Sequence, residues 1–339
     1  MANWYDENTD IAVSTRIRIA RNLKNVPFTN KLNDEKIKEI SLKIKELLKD
    51  KVFSFGKLEY ISLNIDDNEI ESLVERHIIS PDFANVAKKR ALCLSEDESV
   101  SIMICEEDHF RIQVILPGCN LKEAYKKAAE VDEFLCKNLN IAYSDTLGFL
   151  TECPSNLGTG LRASVMLHIP ALENVNAISN ISDSISKIGL TVRGLYGEGS
   201  GATASLYQIS NQVTLGITEE DAINNLKGIT DQIIEEEKKT RKEFLPVQLS
   251  DVVFRALGTL ENARILSGKE LMTLASKLKL GITEGIIKNI PKYVSMKLII
   301  ECSPGMLQKK FGLMEPNERD IKRAEYCRNF IKDVKNNEI

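Results

Sequence analysis

The sequence predicts an α+β protein, an antiparallel sheet flanked by helices and followed by a small all-α domain at the C-terminal end. Three observations predict it. Apolar runs with period-two alternation come in hairpin-like pairs, at 100–116 and again at 189–216. Amphipathic helical patterns stand between them, at 33–49 and 121–139. After Phe244 the texture changes, and 246–339 is nearly all helical pattern. The boundary is expected near residue 245, dividing the chain into 1–245 and 246–339.

Taken in order, Ile37, Ile40, Ile44, Leu47 and Leu48 recur at helical spacing behind Asn33 or Asp34 as a cap. LEYISLNI (58–65) alternates as a strand does. VSIMI (100–104) and RIQVIL (111–116) flank CEEDHF, which reads as a hairpin with an acidic connection. Leu121, Ala124, Ala128, Val131, Leu135 and Leu139 line one face of a second helix. The run from Cys153 to Pro170 is too rich in glycine for a helix and too polar for a plain core strand. GLTVRGLYG and SLYQISNQVTLG form two strands joined by a Gly/Ser loop. Thr218 carries a capping signal for a helix that ends in a solvated charge run near Phe244. Beyond it, breaks are expected at Gly258, Gly281, Pro291, Pro304 and Pro316.

The bulk numbers exclude several classes. With 339 residues, 43% hydrophobic and 28% charged, the chain is ordinary globular material and long enough for two domains. A net charge of -4 argues against a nucleic-acid binder driven by bulk charge, though not against a local basic pocket. Seven cysteines without a CxxC pair argue against both a disulfide framework and a zinc site, so no metal ligand set is assigned. The start shows no secretory leader, and no apolar run approaches the length needed to span a bilayer. A cytoplasmic protein without membrane attachment is expected.

The segment CPSNLGTGLRASVMLHIP carries most information. A cysteine, glycines that let backbone approach a ligand, and an arginine with its fork of donors suggest an anion site. Arg16, Arg18, Arg111, Arg162 and Arg193 all fall in strand-like or loop settings where a solvated face is not the obvious explanation. Arg16 and Arg18 alternate with Ile17 and Ile19, so on a strand they share one face. Two cations on one face repel each other unless an anion sits between them. An isolated pair of that kind is as readily a surface pair, but five such arginines favour a polyphosphate clamp. GxxxxGK[ST] is absent, so the grip would come from guanidiniums rather than a P-loop.

Glu106, Glu107, Asp108 and Glu198 form an acidic set. Three carboxylates at a hairpin tip are ordinarily a solvated turn, yet Arg111 follows them directly. Cys153 is either an inert small hydrophobe or, beside arginines, a thiol with a lowered pKa. RDIKRA (319–324) sets Arg319 and Arg323 one helical turn apart with Asp320 alongside, ordinarily an exposed ion-pair cluster. His109 and His168 read as structural or supporting.

Together STRIR (14–18), EEDHFR (106–111), CPSNLGTGLRASV (153–165), VRGLYGE (192–198) and ISN…LGITE (209–219) resemble the ATP:guanidino phosphotransferases, the phosphagen kinase family. The likeness spans about residues 11–240 in the family's order. Two features make the chain most similar to the bacterial branch that phosphorylates arginine side chains in proteins. The motifs begin at residue 14, without the N-terminal helical domain of the small-substrate enzymes, and RDIKRA looks like that branch's phosphoarginine-binding motif.

The resemblance implies ATP and Mg2+ as cofactors, with Arg16, Arg18, Arg111, Arg162 and Arg193 on the nucleotide phosphates. Their motif neighbours Ser14, Thr15, Ile17, Ala163, Ser164, Val165, Met166, Gly194, Leu195, Tyr196 and Gly197 join the nucleotide set, as does His77 near the base. Met166 stands where the small-substrate enzymes carry a histidine, with His168 two residues on. Glu107 and Glu198 would hold the acceptor guanidinium with Cys153 against it, while Arg319, Asp320, Arg323 and Ala324 would bind phosphoarginine. It further implies protein substrates, a heat-shock repressor among them, an activator protein, a Clp ATPase partner, a role in stress response and a homodimer. A kinase for a free guanidine and a phosphoarginine-binding adaptor are the alternatives, the second disfavoured because every catalytic position is intact.

Overall fold

A computed structural model of the chain describes residues 3–194, 204–244 and 246–336. The strands are β1 (Ala12–Arg21), β2 (Leu58–Ser62), β3 (Ala91–Ser95), β4 (Val100–Ile104), β5 (Phe110–Pro117), β6 (Tyr143–Ser144), β7 (Gly148–Phe149), β8 (Leu161–His168), β9 (Leu190–Gly194) and β10 (Leu206–Asn211). Eight of them form one antiparallel sheet in the order β2-β3-β4-β5-β1-β8-β10-β9, and β6 and β7 make a small separate hairpin. The helices before residue 245 are α1 (Asp34–Leu48), α2 (Asp67–Glu75), α3 (Pro81–Val86), α4 (Leu121–Asn138), α5 (Pro170–Asn174), α6 (Ile178–Ser186) and α7 (Glu219–Arg241). After it come α8 (Pro246–Asn262), α9 (Gly268–Thr283), α10 (Val294–Glu301), α11 (Pro304–Phe311) and α12 (Pro316–Lys335).

The sheet register decides what each face carries. Arg18 lies opposite Arg162 on β8, and Ala20 lies opposite Arg111 on β5. Met166 pairs with Gln208, and Gln208 pairs with Arg193. Because side chains alternate with period two, Arg16, Arg18, Arg111, Arg162 and Arg193 all project from one face. The opposite face is apolar. Ile17, Ile19, Ile112, Ala163, Val165 and Ile209 pack there against Ile40 and Ile44 of α1, Ala128 and Val131 of α4, and Leu226 of α7. Such a layer explains why α1 starts where Asn33 accepts from Lys36 N, and α7 where Thr218 accepts from Asp221 N.

The arginine face is covered only toward its margins. Leu92, Leu94 and Met103 pack under Ile70 and Leu73 of α2 and Phe83 of α3. At another margin Val13, Ile115, Met166 and Leu206 meet Met272 and Ala275 of α9 and Met296 and Ile299 of α10. The C-terminal helices also have a core of their own, with Val253, Leu257, Leu278, Leu298 and Ile331.

Several expectations need correcting. The strand expected over 58–65 ends at Ser62. Leu161–His168 is a largely buried inner strand, because hydroxyl and guanidinium side chains alternate with Ala163, Val165 and Leu167. Gly158 and Gly160 serve backbone packing: a Cβ on Gly158 would meet the Thr214 carbonyl at 2.3 Å, and one on Gly160 the Ala20 carbonyl at 2.7 Å. Helices α8 and α9 run straight through Gly258 and Gly281. A helical glycine costs about 1 kcal/mol, which the buried face each helix presents offsets. The charge run ending α7 is not all solvated, since Glu237 and Arg241 are buried.

Candidate active site

The 106–109 turn is held in place from two sides. Asp108, fully buried, accepts from Asn22 Nδ2 at 2.5 Å and from Glu152 N at 2.8 Å. Asn22 Oδ1 in turn accepts from His109 N at 2.9 Å. The end of β1, the turn before β5 and the segment leading to Cys153 are thereby tied together. Glu106 is buried as well, so the acidic connection is not a solvated hairpin tip.

Arg111 reaches back over this turn, 2.6 Å from Glu106 and 3.2 Å from Glu107. The Ser80 hydroxyl, at the cap of α3, donates to Glu106. A cavity of about 260 Å3 opens here, lined by Arg18, Arg111, Arg162 and Arg193 on one side and by Glu107, Cys153, Ser155 and Asp82 among its other walls. The Cys153 thiol lies 3.0 Å from the Ser155 hydroxyl. A larger cavity of about 540 Å3 lies elsewhere, between α5, α8 and α9, and holds none of these arginines.

The electrostatics are those of crowded, buried like charges. Burial first, then Arg162 and Arg111, bring Arg16 down to about 10. Burial and the neighbouring Arg16, Arg111 and Arg162 push Arg18 well below its ordinary value, with only Glu106 opposing among the nearby charges. Crowding of like charges is a free-energy cost that a polyphosphate would relieve. Glu107 is raised by burial, opposed by Arg111 and reinforced by Asp108, Glu106 and Glu152. A carboxylate raised in this way is a better proton acceptor near neutrality.

Not every residue of the expected nucleotide set faces the cavity. Arg16 projects from the same face, with Nη2 donating to Gln208 Oε1. The side chains of Ile17, Ala163 and Val165 lie in the core on the opposite face, leaving only their backbone for any such part. Thr15 is engaged with the Gly118 carbonyl at 2.7 Å and Asn120 N at 2.9 Å. Ser14 and Ser164 are buried, and Met166 packs with the C-terminal helices. Gly194 ends β9, whereas Leu195, Tyr196, Gly197 and Glu198 lie outside the described residues. His77 sits on left-handed backbone (φ 63°), its ring 5.3 Å from Trp4, and burial with Arg16 lowers it to about 3. A neutral ring beside Arg16 results.

Arg319, Asp320, Arg323 and Ala324 lie on α12, away from the sheet. Arg323 is not exposed, contrary to the ordinary reading of RDIKRA. Its guanidinium donates to the carbonyls of Cys302 and Leu266, both at 2.9 Å, and to Asp320 Oδ1. Ala324 is in the helical core. His168 is structural, as expected, with Nε2 2.8 Å from Ser276 Oγ of α9. Asp82, Ser155, Asn156 and Gln208 also line the cavity, and Asn22 braces its acidic turn; sequence reasoning assigned a role to none of them. Ser155 and Asn156 had a signal, lying inside the CPSNLGTGLRASV segment, and Asn22 lies next to the TRIRIAR strand.

Comparison with known proteins bears on the family. Residues 39–240 match the model of the ATP:guanido phosphotransferase C-terminal catalytic domain, and 246–339 that of the Protein-arginine kinase McsB C-terminal domain. A protein-arginine kinase of Brevibacillus brevis is 44% identical over 346 residues, covering 99% of this chain and 97% of that protein. One from Caldanaerobacter subterraneus is 44% identical over 328 residues, covering 95% and 96%. Among solved structures, the substrate-free duplicated taurocyamine kinase of Schistosoma mansoni matches with TM-score 0.60 and 27% identity. That match covers 78% of this chain but only 39% of the duplicated enzyme. Lombricine kinase, at TM-score 0.59 and 24% identity over 68% of this chain and 67% of that one, shares the fold.

The chain is thus a kinase, belonging to the ATP:guanido phosphotransferases, a family whose phosphoryl donor is ATP. Within them it belongs to the protein-arginine kinases. Among the described residues no helix is long and apolar enough to cross a membrane.

Proposed function

We propose that this chain transfers the γ-phosphoryl group of ATP to a guanidinium nitrogen of arginine side chains in proteins, yielding phosphoarginine and ADP. One observation carries the reading: four crowded arginines and Glu107 line the same cavity, with Arg111 linking the two. An arginine acceptor, with a pKa above about 12, is a poor nucleophile until a proton is drawn from it. Glu107 takes that proton as the N–P bond forms and the bond between the γ-phosphorus and the β-phosphate oxygen breaks. Arg18, Arg111, Arg162 and Arg193 stabilise the charge that spreads over the transferring group and the departing ADP. Glu198 serves as the second acceptor carboxylate, and Cys153 lies against the guanidinium.

Mg2+ would supply charge neutralisation on the phosphates. Among the described residues no three His, Cys, Asp or Glu groups converge as a metal cage. We read 1–245 as the catalytic domain and 246–339 as a helical domain in which Arg319, Asp320, Arg323 and Ala324 bind phosphoarginine. A cytoplasmic stress-response role belongs to the same reading, with a heat-shock repressor as substrate, an activator protein, delivery to a Clp ATPase, and a homodimer.

The test is intact-protein mass spectrometry of an arginine-bearing acceptor incubated with MgATP under non-acidic conditions, beside free arginine. The expected result is a gain of one phosphoryl group on the protein acceptor, reduced about 10²–10⁴-fold by Glu107→Gln. Phosphorylation of free arginine alone would overturn the reading in favour of a small-guanidine kinase.

A further inference from the structure

The C-terminal helices touch the catalytic half at a point that the chemistry above does not use. Helix α11 begins Ser303-Pro304-Gly305-Met306, yet Ser303, its N-cap residue, turns its hydroxyl to the Ile299 carbonyl at 2.8 Å. The cap comes instead from α2. Glu75 Oε1 accepts from Gly305 N at 2.8 Å, and Oε2 accepts from Met306 N at 2.7 Å. Gly305 permits this approach: a Cβ there would lie 2.7 Å from Glu71 Cγ and 3.0 Å from Glu75 Oε2. Lys309 of α11 adds an ion pair to Glu69 of α2 at 2.6 Å.

The segment just beyond Glu75 leads directly to the cavity. Trp4 Nε1 donates to the Arg76 carbonyl at 3.0 Å, and Gln113 Nε2 donates to the carbonyls of His77 and Ile78, both at 2.9 Å. Ser80 then holds Glu106, the partner of Arg111, and exposed Asp82 lines the cavity. From the other side, Arg323 donates to the carbonyl of Cys302, one residue before Ser303.

We propose that Glu75 is a positioning residue for phosphoryl transfer: by capping α11 from α2, it holds the 76–82 turn, and with it Ser80 and Asp82, against the acceptor side of the cavity. The inference rests on the protein-arginine acceptor reading. It explains why a carboxylate is spent on another element's backbone when a serine stands at the cap position. The groups facing Glu75 are Glu71 on its own helix, the two α11 amides and Arg323 of α12. Burial raises Glu75 to about 7, opposed by the Gly305 and Met306 amides and by Arg323, and reinforced by Glu71. Above that pH both oxygens accept; below it one becomes a hydroxyl and an α11 amide loses its partner.

Glu75→Gln imitates the protonated form at every pH. Loss of one charge-assisted bond predicts a protein-acceptor KM raised about five- to tenfold with the ATP KM changed less than about twofold. In the wild-type protein the acceptor KM falls as pH rises through about 7, and in Glu75→Gln it is flat. Amide hydrogen exchange over 76–87 is expected to quicken in the variant while that of 161–168 does not. Gly305→Ala, which forces α2 and α11 apart, should give the same signature and add little to Glu75→Gln. Should Glu75→Gln not fold, Glu75→Asp keeps the charge but retracts it, and the same split is expected. Unchanged acceptor KM and unchanged exchange over 76–87 in cooperatively folding variants would overturn the proposal, as would a parallel rise in both KM values. A wild-type protein that phosphorylates no acceptor would instead sink the acceptor reading, while the exchange data would still judge the coupling.

Discussion

Arg18 and Arg162 face each other across neighbouring strands, and burial with like-charge crowding disfavours the charged form of Arg18. Removing one should therefore separate stability from function. Arg18→Ala is expected to raise the melting temperature of the nucleotide-free protein by a few degrees, about 1 kcal/mol. The same substitution should raise the ATP KM about tenfold or more. Calorimetry without nucleotide and initial-rate kinetics check the two halves; a lower melting temperature with unchanged KM would contradict both. Arg18→Lys should not restore ATP binding, because a point charge lacks the planar fork. At Glu107 the sign of the pH effect is equally definite. In the proposed role of base, a carboxyl raised by burial must lose its proton, so activity is expected to fall as pH falls through its pKa, and Glu107→Gln to remove that limb.

Strand β1 shows how one element serves two layers. Its Arg18 lines the cavity while Ile17 and Ile19 sit wholly in the core between sheet and helices. Ile17→Ala is expected to cost about 2–5 kcal/mol in denaturant unfolding. A cost below about 1 kcal/mol would show that the layer is not packed as described. Helices α1, α4 and α7 were legible because their buried residues recur at period 3.6 behind a side-chain cap or an apolar start. Strand β8 was less legible. Gly158 and Gly160 before it suggested a ligand loop, whereas they admit the close approach of Thr214 and Ala20 backbone. Period-two reading of ASV and VML within it would have revealed the alternation; the flanking glycines obscured it.

At the scale of the molecule, the two halves are joined by buried charge. Arg241, in α7, pairs with Glu237 and reaches the His168 carbonyl of β8 and Thr283 and Glu284 of α9. Lys279 of α9 is buried, with Nζ donating to the Thr9 carbonyl at 2.8 Å. Burial chiefly, with Arg241 and Lys292 against Asp10, lowers it to about 7. The unfolded chain keeps that proton to about pH 10. Between pH 7 and about 10 the unfolded state therefore binds more protons, and stability from this group rises with pH, by up to about 1.4 kcal/mol per unit. Lys279→Met should abolish that slope in urea titrations run at several pH values; an unaltered slope would assign it to other groups.

From sequence alone came the fold class, the main helices, the five arginines and the resemblance that named a kinase family. Each of these depends on local periodicity or on residue types that stand close together along the chain. Tertiary structure alone decided that strand register gathers the arginines onto one face, that Asp82 lines the cavity while Asn22 braces its acidic turn, that Arg323 is buried, and that Glu75 caps a helix 230 residues away. Those facts depend on which strands and helices meet, and a pairing between distant segments leaves no periodic trace in either one.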